Sequence, residues 1–139
     1  MSIKKVSIAG IAGAVVAFFL GWLIYGILLK DFMAEHCNTS IMRPETAFIW
    51  WSMIAANLCW GILLAYIFNR WANISSLSAG LSAGAIISLL VGLSYSLSFY
   101  AMSTMYNDMT GLLVDVAVGT VMGAIVGAVV GFVLGKIKD

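Results

Sequence analysis

The sequence GLLVDVAVGTVMGAIVGAVVGFVLG occupies residues 111–135, and Asp115 is its only charged residue. An α-helix needs about 20 consecutive apolar residues to cross the hydrocarbon core of a bilayer. In lipid, a spanning segment must also satisfy its backbone hydrogen bonds internally, as a helix does. The stretch therefore predicts a membrane-spanning helix over residues 110–135.

Three further apolar stretches precede it, over residues 6–29, 46–69 and 74–102. In the whole chain 63% of residues are apolar and 9% are charged, whereas a soluble domain usually has about 25% charged residues. The net charge of +1 also argues against nucleic acid as a partner. We predict an all-α integral membrane four-helix bundle that forms one domain over residues 1–139.

The distribution of Lys and Arg predicts how this bundle is oriented, because basic residues are enriched in cytoplasmic loops. Lys30 and Arg43 lie on one predicted side of the membrane. Five basic residues lie on the side that holds both termini: Lys4, Lys5, Arg70, Lys136 and Lys138. We therefore expect both the N-terminus and the C-terminus in the cytoplasm. The first apolar stretch is too long for a signal peptide and is expected to be retained as a span.

The fourth span has the most regular motif, a small residue or Asp115 at every fourth position from Gly111 onward. The glycines that continue this row are Gly119, Gly123, Gly127, Gly131 and Gly135. Small residues at this spacing let two helices approach closely, and Gly13, Gly80 and Gly84 are related positions in other spans. Because each step of four turns by about 40° around a helix, the row should meet at least two partners. These partners lie either within the bundle or across an interface with another chain.

Four polar residues inside the predicted spans are candidates for function: Asp115, Asn57, Tyr95 and Ser96. An acid inside a span suggests a proton or ion site, or a partner for a buried donor. The structural alternative is a carboxylate that accepts hydrogen bonds from hydroxyls at similar depth, such as those of Tyr95 and Ser96. Asn57 offers an amide for an interhelical hydrogen bond or for a solute. The many serines of the third span fit either helix packing or a groove for a polar solute.

Motifs for metal binding and catalysis are weak. Asp31, Glu35, His36 and Cys37 lie close together, but His36 is the only histidine and the spacing of structural zinc sites is absent. No Ser-His-Asp constellation and no phosphate-binding glycine loop is recognisable. We predict no cofactor, no metal site and no enzymatic reaction.

Three stretches of the chain are distinctive: GWLIYGILLKDF (residues 21–32), NLCWGILLAYIFNRWANIS (residues 57–75) and LLVDVAVGTVMGAIVG (residues 112–127). With these stretches, the chain resembles a family of small four-span bacterial membrane proteins of unknown function. The resemblance covers nearly the whole chain, and it implies the bacterial inner membrane, four helices and no assigned reaction. It marks these positions: Trp22, Tyr25, Gly26, Asp31, Asn57, Arg70, Trp71 and Asp115.

Two functional hypotheses follow. The preferred one is a non-enzymatic interaction or accessory protein of the lipid bilayer that packs or oligomerises through its glycine-rich fourth span. Its partner would be a second copy or another membrane protein. The alternative is a small transporter or channel that uses Asp115, Asn57 and the serine-rich third span.

Overall fold

The computed structural model describes residues 3–37 and 45–137, which are mainly helical and contain no β-strand. Arg43 and Lys138, which entered the predicted charge balance, lie outside the described residues. The described α-helices are α1 (Ile3–Leu23), α2 (Lys30–His36), α3 (Trp50–Ile67), α4 (Leu77–Met102) and α5 (Met109–Lys136). Two π-helical turns extend α1 over Ile24–Leu28 and α3 over Phe68–Ala72.

Among the described residues, four helical stretches are long and apolar enough to cross a membrane: Ile3–Leu28, Trp50–Ala72, Leu77–Met102 and Met109–Lys136. The prediction of an all-α chain with four helices of this length is therefore confirmed. The second stretch is shifted toward the C-terminus relative to the prediction of residues 46–69. Glu45–Ala47 form a separate 3₁₀ turn, and the π-helical turn carries the helix on to Ala72.

Side-chain caps start the last two helices. The Ser76 side chain accepts a hydrogen bond from the Ala79 amide at 3.3 Å and begins α4. The Asp108 carboxylate accepts one from the Gly111 amide at 2.9 Å and begins α5. Such caps satisfy amide groups that have no acceptor within the first helical turn.

The helices are arranged in the order α4–α5–α1–α3, with α5 packed against both α4 and α1, and α3 packed mainly against α1. The largest buried cluster joins α1, α3 and α5 in the half of the molecule nearer Lys136: Val6, Ala9, Ala17, Leu64, Ala65, Phe68, Val126, Val130 and Leu134. We call this half the Lys136 end and the opposite half the Asp115 end. The central position of α5 makes it the most buried of the four long helices.

Glycines bring α4 and α5 into backbone contact, along what we call the glycine seam. A Cβ atom added to Gly127 would collide with the carbonyl oxygen of Gly80, and one added to Gly123 would collide with the Ser88 side chain. Gly84 lies within the same seam, while Gly131 and Gly135 lie against the carbonyl oxygens of Ser76 and Ser75. The part of the row from Gly123 to Gly135 is therefore in contact with α4 of the same chain.

Gly119 and Gly13 were also predicted to pack against neighbouring helices, but neither lies in the glycine seam. Gly119 belongs to the same row, but a Cβ atom added there would meet no heavy atom within 4 Å. Gly119 is partly buried, and its role in helix packing stays a prediction. Gly13 of α1 lies against α5, where an added Cβ would come 2.6 Å from the Val130 side chain.

The backbones of α1 and α3 come into close contact at one crossing. A Cβ atom on Gly61 would collide with the Gly10 carbonyl oxygen and would lie 2.7 Å from the Ala14 amide nitrogen. Between this crossing and the Asp115 end, an apolar groove opens between the two helices. Its lining is Ile11, Ala14, Val15, Phe18, Phe19, Ile54, Asn57 and Leu58.

Candidate functional site

The carboxylate of Asp115 is held by two tyrosine hydroxyls. Tyr25 donates a hydrogen bond to Asp115 Oδ1 at 2.6 Å, and Tyr106 donates one to Oδ2 at 2.5 Å. The Ser96 hydroxyl lies 3.1 Å from the Tyr106 hydroxyl. Because Tyr106 gives its single hydroxyl proton to Asp115, Ser96 is the donor in this contact. These four residues form a connected network, which we call the Asp115 network.

Each member of the network comes from a different part of the chain. Tyr25 lies in the π-helical turn Ile24–Leu28, and such turns rotate the side chains that follow them relative to a regular α-helix. Ser96 lies in the last third of α4, and Tyr106 in the connection to α5. The network therefore links α1 with α4 and α5 at the Asp115 end.

The C-terminal end of α2 packs onto the connection between α4 and α5 next to this network. The Asn107 amide donates to the His36 carbonyl oxygen at 2.8 Å, and His36 Nδ1 lies 2.8 Å from Asp108 Oδ2. A Cβ atom on Gly111 would lie 2.8 Å from the same His36 carbonyl oxygen. The absence of a side chain at Gly111 thus lets the backbone of α2 reach the start of α5.

Local electrostatics outside the spans follow from these contacts. Burial, together with the hydrogen bond to Asp115, raises the pKa of Tyr106 to about 12, so Tyr106 stays protonated and remains a donor at neutral pH. The Gly111 amide and then His36 lower the pKa of Asp108 below its ordinary value. Burial, and then the nearby carboxylates of Asp115 and Asp108, raise the pKa of the Cys37 thiol.

The structure brings together only part of the predicted polar set. Ser96 is buried and reaches Asp115 through Tyr106, whereas Tyr95 is 65% exposed and is not a donor to Asp115. Neighbouring residues on a helix point about 100° apart, so Ser96 faces α5 and Tyr95 does not. The expectation that Tyr95 supplies a hydroxyl to Asp115 is therefore corrected.

Sequence reasoning did not identify the two direct donors, Tyr25 and Tyr106, as partners of Asp115. The resemblance marks Tyr25, and a signal for both was available in their positions. Each is predicted to lie near the same membrane boundary as Asp115. All three residues are therefore expected at a similar depth in the membrane. Predicting Tyr25 and Tyr106 rather than Tyr95 as the donors requires knowing how each helix is rotated about its axis. That rotation depends on tertiary packing.

Asn57 lies apart from the Asp115 network. Its Nδ2 donates to the Met53 carbonyl oxygen of its own helix at 2.8 Å, and its side chain lines the groove between α1 and α3. Asp115, by contrast, bonds to residues of α1 and of the α4–α5 connection. The structure thus does not join Asn57 and Asp115 in one site.

Within residues 3–37 and 45–137, no group of three or more His, Cys, Asp or Glu residues is arranged to hold a metal ion. His36 instead contacts Asp108, and Cys37 lies 3.7 Å from the sulfur of Met33. The two described cysteines, Cys37 and Cys59, are free thiols.

Comparison of the chain with known proteins finds no matching family model, no matching curated protein and no matching solved structure. The resemblance to four-span bacterial membrane proteins stays a prediction.

Proposed function

We propose that the chain is a four-span protein of the bacterial inner membrane with both termini in the cytoplasm. Its four apolar helices support membrane insertion. Trp50 and Trp51 begin α3 at one end of the molecule, and Trp71 lies at the other, as interfacial aromatic residues do. Reporters fused to the two termini should both report the cytoplasm. Reports from opposite compartments would contradict this proposal.

Its function in this proposal is non-enzymatic: it acts as an interaction or accessory protein that receives a transmembrane helix of a partner membrane protein. Because the glycines from Gly123 to Gly135 lie against α4 and the two residues before it, the proposal moves the partner surface away from the glycine-rich row of the fourth span. The surface is instead on α3, where every residue from 50 to 56 is exposed.

The observation that carries this proposal is a second set of small residues, left uncovered on α3. At about 100° per residue these side chains share one helix face, opposite the buried Gly61 and Leu64. The exposed small residues are Ser52, Ala55, Ala56 and Cys59. Small side chains at helix interfaces in lipid permit the close approach that gives dispersion energy. This α3 face therefore resembles the glycine seam in consisting of small residues, but no helix of the described chain covers it.

A crosslinking experiment in native membranes tests the docking function. A photo-crosslinking residue at position 59 should join the protein to a discrete partner, and Ala56→Leu should abolish that product because the larger side chain keeps helices apart. Ala117→Leu, which enlarges an exposed small residue of α5, is the matched control and should leave the product intact. Absence of a product, or equal loss with both substitutions, would overturn the proposal. A product of twice the mass of the chain would identify the partner as a second copy.

The alternative, a small transporter or channel, is supported by a different observation. Asp115 is a carboxylate within a membrane-length apolar helix, and hydroxyls from separate elements hold it. Intramembrane acids often mark ion or proton pathways. This alternative requires water beyond Asp115, toward the middle of the spans.

A further inference from the structure

The groove between α1 and α3 is bounded along the helices by two contacts. Toward the Lys136 end, Gly10 and Gly61 bring the two backbones together. Toward the Asp115 end, the ring of Phe18 lies near that of Trp50, with 6.2 Å between the ring centroids. The groove between these contacts has a volume of about 270 Å³ and is partly open. It is therefore a site of defined length between two membrane-length helices.

The walls of the groove are apolar almost throughout. Among the described residues that line it, the polar one is Asn57, whose Nδ2 donates to the Met53 carbonyl oxygen of its own helix at 2.8 Å. The others have aliphatic or phenyl side chains. A polar solute that entered the groove would exchange its hydrogen bonds with water for apolar contacts, which is unfavourable. The groove therefore favours hydrocarbon as its occupant.

The size of the groove decides which kind of hydrocarbon it can hold. One turn of an α-helix is about 5.4 Å long and about 10 Å across, which is more than a volume of about 270 Å³ can enclose. A single acyl chain is much narrower, and its methylene groups would touch both helices at once. Each of these contacts adds dispersion energy. An acyl chain therefore fits the groove better than a helix of another protein does.

A row of exposed side chains on α1 leads from the groove to Lys4. The row consists of Lys4, Ile8, Ile11 and Val15, which are all exposed. Steps of three or four residues place them on one face of the helix. Ile11 and Val15 also line the groove, at about 10 and about 16 Å from Lys4 along the helix axis. Because the hydrocarbon of one leaflet is about 15 Å deep, a lipid whose headgroup lies at Lys4 can place an acyl chain in the groove.

The charges at the Lys136 end favour an anionic headgroup. Lys4, Arg70 and Lys136 are exposed at this end. The described Asp and Glu residues all lie toward the Asp115 end: Asp31, Glu35, Glu45, Asp108 and Asp115. Basic side chains near a membrane surface attract anionic lipids. A zwitterionic headgroup is a weaker partner, because its ammonium group has the same sign of charge as these side chains.

We propose that the groove between α1 and α3 binds one acyl chain of an anionic phospholipid, and that Lys4 pairs with the phosphate of its headgroup. The bound chain fills the space that the two helices leave beside their single close backbone crossing. The small residues proposed for docking lie on the side of α3 away from Gly61, so both surfaces can be occupied at once. The inference therefore rests on the proposed insertion of the chain into a membrane and not on the docking function.

Native mass spectrometry of the full chain tests the headgroup contact. The micelles hold equal amounts of phosphatidylglycerol and phosphatidylcholine with the same acyl chains. The unchanged chain should retain phosphatidylglycerol about fivefold more often, as expected for one cation near the headgroup. Lys4→Gln should remove this preference, whereas Lys30→Gln, at an exposed position near the Asp115 end, is the matched control and should preserve it. Equal retention of the two lipids by the unchanged chain, or the same preference in Lys4→Gln, would overturn the proposal.

A substitution in the groove tests the acyl-chain contact in the same experiment. Val15→Trp fills the groove and should lower the retention of both lipids by about fivefold or more, because the methylene contacts are lost. Val121→Trp enlarges a similarly exposed valine of α5, outside the groove, and should leave retention unchanged. Equal retention in the two variants would overturn the proposal.

A photolabelling measurement in vesicles needs no variant and separates this inference from the proposed membrane insertion. The unchanged chain is reconstituted with phosphatidylglycerol that has a diazirine in the middle of one acyl chain. The peptide with Ile11 and Val15 should take up about fivefold more label than the α5 peptide with Val121. Equal labelling of these peptides would overturn the lipid site and leave membrane insertion supported. Absence of label from all four long helices would contradict membrane insertion and the lipid site together.

Discussion

The pairs α4–α5 and α1–α3 use glycine differently. In the first pair, glycines on both helices follow one another at every fourth position, and α5 meets the backbone of the other segment from Gly84 back to Ser75. In the second pair, Gly10 and Gly61 form a single close backbone crossing, and a groove lies between the helices toward the Asp115 end. Repeated small residues therefore give close backbone contact over several turns, whereas one small residue on each helix gives a single close backbone crossing.

This difference explains where the molecule has surface available for other molecules. In lipid there is little hydrophobic drive for helices to associate, so contact area and close approach determine which pairs hold. In the pair α4–α5, the small residues of the glycine seam are covered by the other helix of the same chain. The α3 helix has buried only Gly61, Leu64 and Ala65, and its small residues toward the Asp115 end are uncovered.

The largest predicted effect comes from a substitution that disrupts the glycine seam. Gly127→Leu should reduce the free energy of unfolding by about 3 kcal/mol or more, because its side chain meets the backbone of Gly80 and Gly84 and forces α4 away from α5. Gly119→Leu, in the same row but in open space, should cost about 1 kcal/mol or less. Reversible unfolding in mixed micelles measures both. Similar losses for the two variants would contradict the assigned seam.

A smaller loss is expected at the crossing of the other pair. Gly61→Leu should cost about 2 kcal/mol, since its side chain meets the backbone of Gly10 and Ala14 at one point only. Ala55→Leu, at an exposed position of α3, should change stability by about 0.5 kcal/mol or less. The same unfolding measurement applies. A loss at Gly61 larger than that at Gly127 would reverse the comparison of the two pairs.

The next prediction concerns the hydrogen bonds that connect α1 to α5. Tyr25→Phe removes a donor to the Asp115 carboxylate and should cost about 1.5 kcal/mol. Tyr95→Phe removes a hydroxyl that is 65% exposed and should have no measurable effect. If Tyr95→Phe cost as much as Tyr25→Phe, the rotation of α4 described above would be wrong.

The smallest predicted effect is a pH dependence at the contact between α2 and α5. The pKa of Asp108 is lower in the folded protein than its ordinary value of 3.8. Its stabilising contribution is therefore present above that value and is lost as the pH falls through the lower folded-state value. Unfolding measured at decreasing pH should show this loss, and Asp108→Asn should remove that part of the dependence. An unchanged profile in Asp108→Asn would contradict the role of its hydrogen bonds with Gly111 and His36.

Much of the fold could be predicted because the relevant signals are local. The bounds of α4 and α5 agree with the predicted spans to within a few residues, since each helix coincides with a long apolar stretch. The extension of the second stretch to Ala72 was not predictable in this way. It depends on a π-helical turn that has no distinct composition.

The candidate site was predictable only in its central residue. Asp115 stands out because a carboxylate in an apolar stretch is costly and rare. Its donors do not stand out, since Tyr25 and Tyr106 lie far from each other in sequence and resemble any other interfacial tyrosine. The open space at Gly119 is equally hidden in the sequence, where Gly119 is indistinguishable from Gly123.

The amino-acid sequence by itself determined the number, length and helical character of the long segments, because the hydropathy and backbone hydrogen bonding of each segment are properties of that segment alone. Only the tertiary structure decided that a Cβ atom on Gly123 would meet α4 while one on Gly119 would lie in open space, and that Asp115 accepts from Tyr25 rather than from Tyr95. Those outcomes depend on how two helix surfaces fit against each other, and dispersion and hydrogen bonding fall off within an ångström or two of contact.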